Sequence, residues 1–111
     1  YKENKYMLNS ERHKRARRKP VHAGVFFKRR FIDSFEGLNM TRTAKSLGVS
    51  RQHLINFCAG RTSCTPKMAS RLAIATNTGV AFWLSMQALQ DVWDAEKGME
   101  SLDVKVLSLS S

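Results

Sequence analysis

Ser50, Arg51 and Gln52, with Asn56 one helical turn further on, are the side chains in this sequence best suited to reading nucleic acid. Arginine presents two parallel N–H donors that match O6 and N7 of guanine, and glutamine or asparagine matches N6 and N7 of adenine. They sit in the stretch TRTAKSLGVSRQHLINFCAGR, from Thr41 to Arg61. Its pattern predicts two short helices, 41–47 and 51–59, joined by Gly48-Val49-Ser50. That arrangement is a helix-turn-helix, in which one helix crosses the DNA backbone and the next enters the major groove. Base contacts are expected from Ser50, Arg51, Gln52 and Asn56. Phosphate contacts are expected from Thr41, Arg42, His53, Arg61 and Thr62. For His53 and Thr62 taken singly, an ordinary surface polar role explains the residue equally well.

Such side chains work only if the backbone holds them in place. Ala44 is small enough to let the two helices cross closely, and Gly48 can take the left-handed conformation that ends the first of them. Ser50 can cap the second helix, which puts Arg51 and Gln52 on its first turn. Leu47, Val49, Leu54 and Phe57 form the apolar underside, and Ala59-Gly60 closes the helix.

The charge distribution points the same way. The 111 residues carry 19 Lys/Arg and 9 Asp/Glu, a formal net charge of +10. Residues 1–19 hold eight basic residues against two acids, a net of +6; residues 20–65 hold seven against two, +5; residues 66–111 hold four against five, −1. The positive field therefore lies on the N-terminal arm and the motif, as an anionic partner requires. In the arm, Arg12, Lys14, Arg15, Arg17, Arg18 and Lys19 repel one another and offer nothing to bury, so residues 1–20 are expected to be a flexible basic arm. The arm could follow a DNA groove, or it could be a solvated tail that raises non-specific affinity; both follow from the same electrostatics.

Other chemistries find little support. Cys58 and Cys64 have no Cys-x-x-Cys partner or histidine pair at zinc spacing, so neither metal nor cofactor is expected. The two thiols are read as reduced and space-filling. No nucleophile–base–orienter set, phosphate-cradling glycine loop or carboxylate pair suggests an enzyme. No apolar run reaches the length of a membrane span, and a cytoplasmic, nucleoid-associated location is the default expectation.

The elements around the motif complete an all-α, five-helix reading. A first helix is expected over 23–35, with Phe27, Phe31 and Phe35 on its inner face and Lys28, Arg29 and Arg30 outside. Thr65-Pro66 starts a fourth helix, with Met68, Leu72 and Ala75 facing inward, and Asn77-Thr78-Gly79 breaks it. The fifth, 80–97, carries Phe82, Trp83, Leu84, Met86, Leu89, Val92 and Trp93, more apolar surface than one core needs, so part is available to a second subunit. Trp83 is assigned to the core, and Gln87 and Asp91 to holding a neighbouring loop or subunit. The alternation over 102–109 predicts a short C-terminal strand. The domain division is thus 1–20 for the arm, 21–97 for the DNA-binding domain with its dimerisation helix, and 98–111 for the tail.

Several of these pieces together resemble a known family. They are His22-x-Gly24; Ala44-x-x-Leu47-Gly48-Val49-Ser50-Arg51-Gln52; Gly60-Arg61; Pro66-x-Met68-Ala69-x-Arg71-Leu72-Ala73; and Phe82-Trp83-Leu84-x-x-Gln87-x-x-x-Asp91-x-Trp93. Over His22 to Trp93 the chain resembles the HigA-type antitoxins of bacterial toxin–antitoxin operons, within the Xre-like, lambda-repressor-like helix-turn-helix proteins. The resemblance implies a homodimer that binds a palindromic operator in double-stranded DNA, represses its own operon and neutralises a HigB/RelE-like ribonuclease toxin. A stand-alone or phage-type Xre repressor without a toxin is the alternative. The chain departs from the family pattern at Ala23, where proline is usual, and at Arg29-Arg30, where acids are usual. It also differs at Asn56, a position usually held by arginine or a polar residue and here beside an apolar Ile55, and in its longer, more basic arm. Because such toxins are themselves basic, the arm is expected to favour DNA over toxin.

Overall fold

The chain enters its first helix through His22, whose Nδ1 accepts a hydrogen bond from the Gly24 N–H at 2.9 Å. A computed structural model describes residues 18–108, so Arg12, Lys14, Arg15 and Arg17 of the arm lie outside the described residues. Helix α1 (Ala23–Phe27) widens into a π-helical turn over Lys28–Ile32, where the Asp33 N–H donates to the Lys28 carbonyl at 2.8 Å. The helix expected to reach residue 35 therefore stops at Ile32. Ser34 contributes to the stop, because its hydroxyl takes the Arg29 carbonyl at 2.9 Å in competition with the main chain. Phe27, Phe31 and Phe35 nevertheless stack in one column, with ring centroids 5.7 and 6.4 Å apart. Phe35 lies beyond the helix and is half exposed.

Helix α2 (Met40–Leu47) begins one residue before Thr41, because Asn39 is its cap and accepts from the Arg42 N–H at 2.9 Å. Gly48 ends it at φ 73, and the Val49 N–H returns to the Ala44 carbonyl at 3.0 Å. Helix α3 (Arg51–Cys58) follows at once. Thr65 caps helix α4 (Pro66–Thr76) by accepting from the Met68 N–H at 3.2 Å, and Asn77 closes it in the left-handed region at φ 55. Helix α5 (Val80–Gly98) is the longest and passes into a short 3₁₀ turn, Met99–Ser101.

Each helix turns a stripe toward one core. Phe27, Ala44, Leu47, Leu54, Phe57, Met68, Ala69, Leu72 and Trp83 are all buried in it. Burying a side chain of that size contributes roughly 1.5–3 kcal/mol, so truncating Leu54 or Leu72 would remove a large fraction of a small domain's stability. Trp83 is fully buried, as expected, and touches the rings of Phe26, Phe27, Phe31 and Phe82. Its Nε1–H donates to the Thr78 hydroxyl at 2.8 Å; that hydroxyl lies 2.8 Å from the Thr76 hydroxyl, which donates to the Leu72 carbonyl at 2.7 Å. This relay satisfies the indole and the last turn of α4 together.

Two expectations are corrected here. Ala75 is exposed, and Ala69 and Ala73 take the inner positions of α4 instead, one turn apart on the face that meets Leu72. The strand over 102–109 is absent among the described residues: 102–108 form no ladder, and no other described segment is a strand that could pair with them. The described structure is all-α with five helices.

Candidate nucleic-acid interface

Ser50 sits between α2 and α3, and its hydroxyl accepts from the His53 N–H at 3.0 Å, so the expected cap is present. It leaves Arg51, Gln52 and His53 as an exposed first turn of α3. Leu54, Phe57 and Cys58 face the core on the other side. The helix is therefore divided lengthwise into a polar outer face and an apolar inner one, as a groove-reading helix requires.

Asn56 joins this outer face as a junction. Its Oδ1 accepts from Gln52 Nε2 and from Arg61 Nη1, each at 3.2 Å. The structure thus brings two expected base readers and one expected phosphate contact into a single bonded set. The Asn56 amide nitrogen is left pointing the other way from its shared oxygen, so it remains a donor for a further acceptor.

The other expected contacts are more dispersed. Thr41 is exposed on the first turn of α2. The Arg42 guanidinium donates to the Gly37 carbonyl at 2.9 Å and so braces the loop before its own helix. Thr62 differs from expectation: its hydroxyl is shut off from solvent and has no hydrogen-bond partner among the described residues. Its carbonyl is held by His22 Nε2 at 2.8 Å, which fixes the loop with the Thr62 side chain turned inward. Of the arm, Arg18 and Lys19 are described, and both are exposed.

Three positioning residues, Gly24, Arg71 and His22, were not singled out for this role from sequence. Gly24 lets α1 cross α3 closely: a Cβ there would lie 1.9 Å from the Phe57 carbonyl oxygen. Arg71 reaches from α4 to the Leu47 carbonyl at 2.9 Å and closes the C-terminus of α2. Its guanidinium also occupies the space a side chain at Gly48 would need, 2.7 Å from such a Cβ. His22 ties α1 to the loop beyond α3. Gln87, expected to hold a loop, does so: its Oε1 accepts from the Cys64 N–H at 2.7 Å and its Nε2 donates to Asp91 at 2.8 Å. The loop from Arg61 to Thr65 is thus held from both sides.

Burial raises both thiols from the usual 9.0 to about 11. At Cys58, Lys28 partly offsets that rise and Asp33 adds to it. Neither cysteine is disulfide-bonded. Among the described residues no group of three or more His, Cys, Asp or Glu could hold a metal ion, and no helix is long and apolar enough to cross a membrane.

No protein-family model matches the chain. Individual relatives do. Antitoxin HigA-1 of Vibrio cholerae is 31% identical over 81 residues, covering 73% of this chain and 75% of the relative. The chain belongs to the HigA-type antitoxins, helix-turn-helix regulators of the Xre kind. An Escherichia coli relative, the uncharacterized HTH-type transcriptional regulator YbaQ, is 32% identical over 88 residues, covering 79% of this chain and 77% of its own. Among solved structures, antitoxin GraA superposes with a TM-score of 0.71 at 28% identity, over 81% of this chain and 99% of GraA. A HigA-family antidote protein from Coxiella burnetii gives 0.68 at 26% identity, over 82% and 99%. GraA has also been solved in complex with its operator. As a HigA-type antitoxin and transcription regulator the chain is non-enzymatic.

Proposed function

We propose that this HigA-type antitoxin binds palindromic operator DNA as a homodimer, represses its own operon and neutralises a HigB/RelE-like ribonuclease toxin. One observation carries the DNA half: the exposed first turn of α3, capped by Ser50, with Asn56 and Arg61 bonded into the same outer face. Arg51 and Gln52 read base edges at the N-terminus of α3, with Ser50 and Asn56 beside them. Thr41, Arg42, His53 and Arg61 contact phosphates along the flanking backbone, and the loop at Thr62 follows it. The arm, from Arg12 to Lys19, adds its charge along the duplex and steepens the salt dependence of binding. Two copies place their α3 helices in successive major grooves about 34 Å apart.

The operator complex of GraA supports this reading. Its test is a gel shift of the full chain on the DNA upstream of its own gene, against scrambled duplex and structured RNA at physiological salt. Preference for the upstream duplex supports the reading; equal binding to all three probes overturns it. The toxin half rests on family membership and is tested by co-expression with any ribonuclease-type gene found beside its own.

A second reading, a repressor without a toxin, is favoured by relatives that are named as transcriptional regulators rather than antitoxins. Failure to capture or inhibit any neighbouring ribonuclease would select it.

A further inference from the structure

The aromatic column at the end of α1 borders a pit that the polar face of α3 does not touch. Its floor includes Phe27, Thr43 and Leu47, which are 3%, 6% and 3% exposed. Phe35 and Leu38 stand at its rim, 51% and 42% exposed. A buried floor beneath an exposed rim makes a concavity rather than a flat patch. Its volume of about 330 Å³ lies at the small end of the range for small-molecule sites.

Three properties of the lining define a guest. The rings of Phe31 and Phe35 are within 8° of parallel, and those of Phe27 and Phe31 within 27°, so one wall is flat. None of the described residues lining the pit is ionisable, so a charged guest would lose its water with no compensation. The Thr43 hydroxyl is shut off from solvent and has no hydrogen-bond partner among the described residues. A hydroxyl left in that state is costly, and a guest that bonds to it recovers the loss. Helical threonine has two usable χ1 rotamers, which lets the group turn toward the pit. With two lone pairs against one proton, it is better supplied to accept than to donate.

We propose that this pit binds a neutral, flat aromatic molecule of one or two fused rings with one N–H or O–H on its edge. The guest lays its face along the Phe31 and Phe35 rings and donates to Thr43. Leu38 and Ala75 close on its other edges. Thr43 and Leu47 belong to α2, so the guest sits behind the first helix of the DNA-binding pair and leaves the outer face of α3 free.

The probe is indole, and its control is benzofuran, which has the same shape without the N–H. Each is titrated into the ¹⁵N-labelled full chain and followed by amide shifts. Indole is expected to move the amides of Leu38, Thr43 and Leu47 to saturation, and benzofuran to bind about tenfold more weakly. Thr43→Val keeps the side chain's shape and removes the hydroxyl. It is expected to weaken indole about tenfold and to leave benzofuran unchanged. Ala75→Phe fills the mouth of the pit from an exposed position and is expected to abolish binding of both probes. Melting temperatures near the native value verify the fold of both variants. Absence of saturable shifts at the pit, or shifts centred instead on exposed apolar residues of α5 such as Leu89 and Val92, overturns the site. Equal affinity for the two probes, or no response to Thr43→Val, overturns the role of the hydroxyl and with it the ligand class. Shifts of the same amides with protein concentration alone would give the pit to a second copy and overturn the proposal.

Discussion

Nε2 of His22 donates to the main-chain carbonyl of Thr62 at 2.8 Å, so the residue that caps α1 also holds the loop that follows α3. Nδ1 of the same ring accepts from the Gly24 N–H, which leaves the ring's proton on Nε2. The edge of the imidazole packs on Phe57, with centroids 5.6 Å apart. One side chain thus serves as a cap, a tether and a packing element, and these roles can be separated by substitution. Asparagine caps a helix well but is too short to reach Thr62, so His22→Asn is expected to cost about 1 kcal/mol. His22→Ala loses all three and is expected to cost roughly twice that. Urea denaturation of both variants measures the difference. A His22→Asn chain as stable as the native one would show that the tether contributes nothing.

Gly24 sets how closely α1 approaches α3. A methyl group at this position would meet the Phe57 carbonyl oxygen at 1.9 Å and the Phe57 carbonyl carbon at 2.5 Å, and backbone atoms cannot swing aside as a flexible side chain can. Gly24→Ala is therefore expected to destabilise the domain by about 3 kcal/mol, at the upper end of ordinary overpacking. Gly98, at the end of α5, has nothing within 4 Å of its added Cβ. Gly98→Ala is expected to be neutral or to stabilise by up to about 1 kcal/mol, because it removes only the helical cost of glycine. The pair is decided by thermal melts. Similar melting temperatures for the two variants would mean that the α1–α3 contact yields easily.

The contrast between these two glycines also shows where the sequence was legible. Ser50, Gly48, Thr65, Pro66 and Asn77 are local signals, each acting on its own backbone within a few residues, and the helix boundaries they imply agree with the structure to within a residue or so. Gly24, His22 and Arg71 act on partners 24 to 40 positions away, counting His22 to Thr62 and Arg71 to Leu47, and no local pattern announces such partners. The spacing of Phe27, Phe31 and Phe35 predicts a helix to residue 35, but ring stacking keeps that spacing even after the helix ends at Ile32. The alternation at 102–106 is visible in the sequence, but a strand needs a neighbour, and the described residues supply none. At the interface the side-chain types were legible, whereas the sharing of one Asn56 oxygen by Gln52 and Arg61 depends on the loop after α3 folding back.

Burial of the thiols gives a pH dependence of definite sign. Both Cys58 and Cys64 ionise near 11 in the folded chain against the usual 9.0. Between these values the unfolded chain has lost the thiol protons and the folded chain has kept them, so stability falls as pH rises from about 9 toward 11 and is unaffected by these groups below about 9. Replacing both with alanine removes that component, and the alkaline fall in melting temperature should become shallower than in the native chain. The same burial predicts slow reaction with a thiol reagent at neutral pH, because the thiolate is the nucleophile and is scarce. Rapid modification of either cysteine in the folded protein would contradict it.

Asn56 and Arg61 offer the most direct separation of base reading from phosphate binding. Asn56 Oδ1 holds Gln52 Nε2 and Arg61 Nη1 at 3.2 Å each, so Asn56→Ala releases a base reader and a cation together. Its effect should fall on specificity: the preference for operator over scrambled duplex narrows by about 1–3 kcal/mol, while the slope of affinity against salt stays the same. Arg61→Ala leaves Asn56 bonded to Gln52 and removes one cation from the duplex. Its effect should fall on the salt slope, which drops by about one unit, with binding weakened equally on operator and scrambled DNA. Salt titrations of both variants on both duplexes give the four numbers needed. If Arg61→Ala narrowed specificity with an unchanged slope, Arg61 would be reading a base, and the bond from Asn56 would be aiming it into the groove rather than along the backbone.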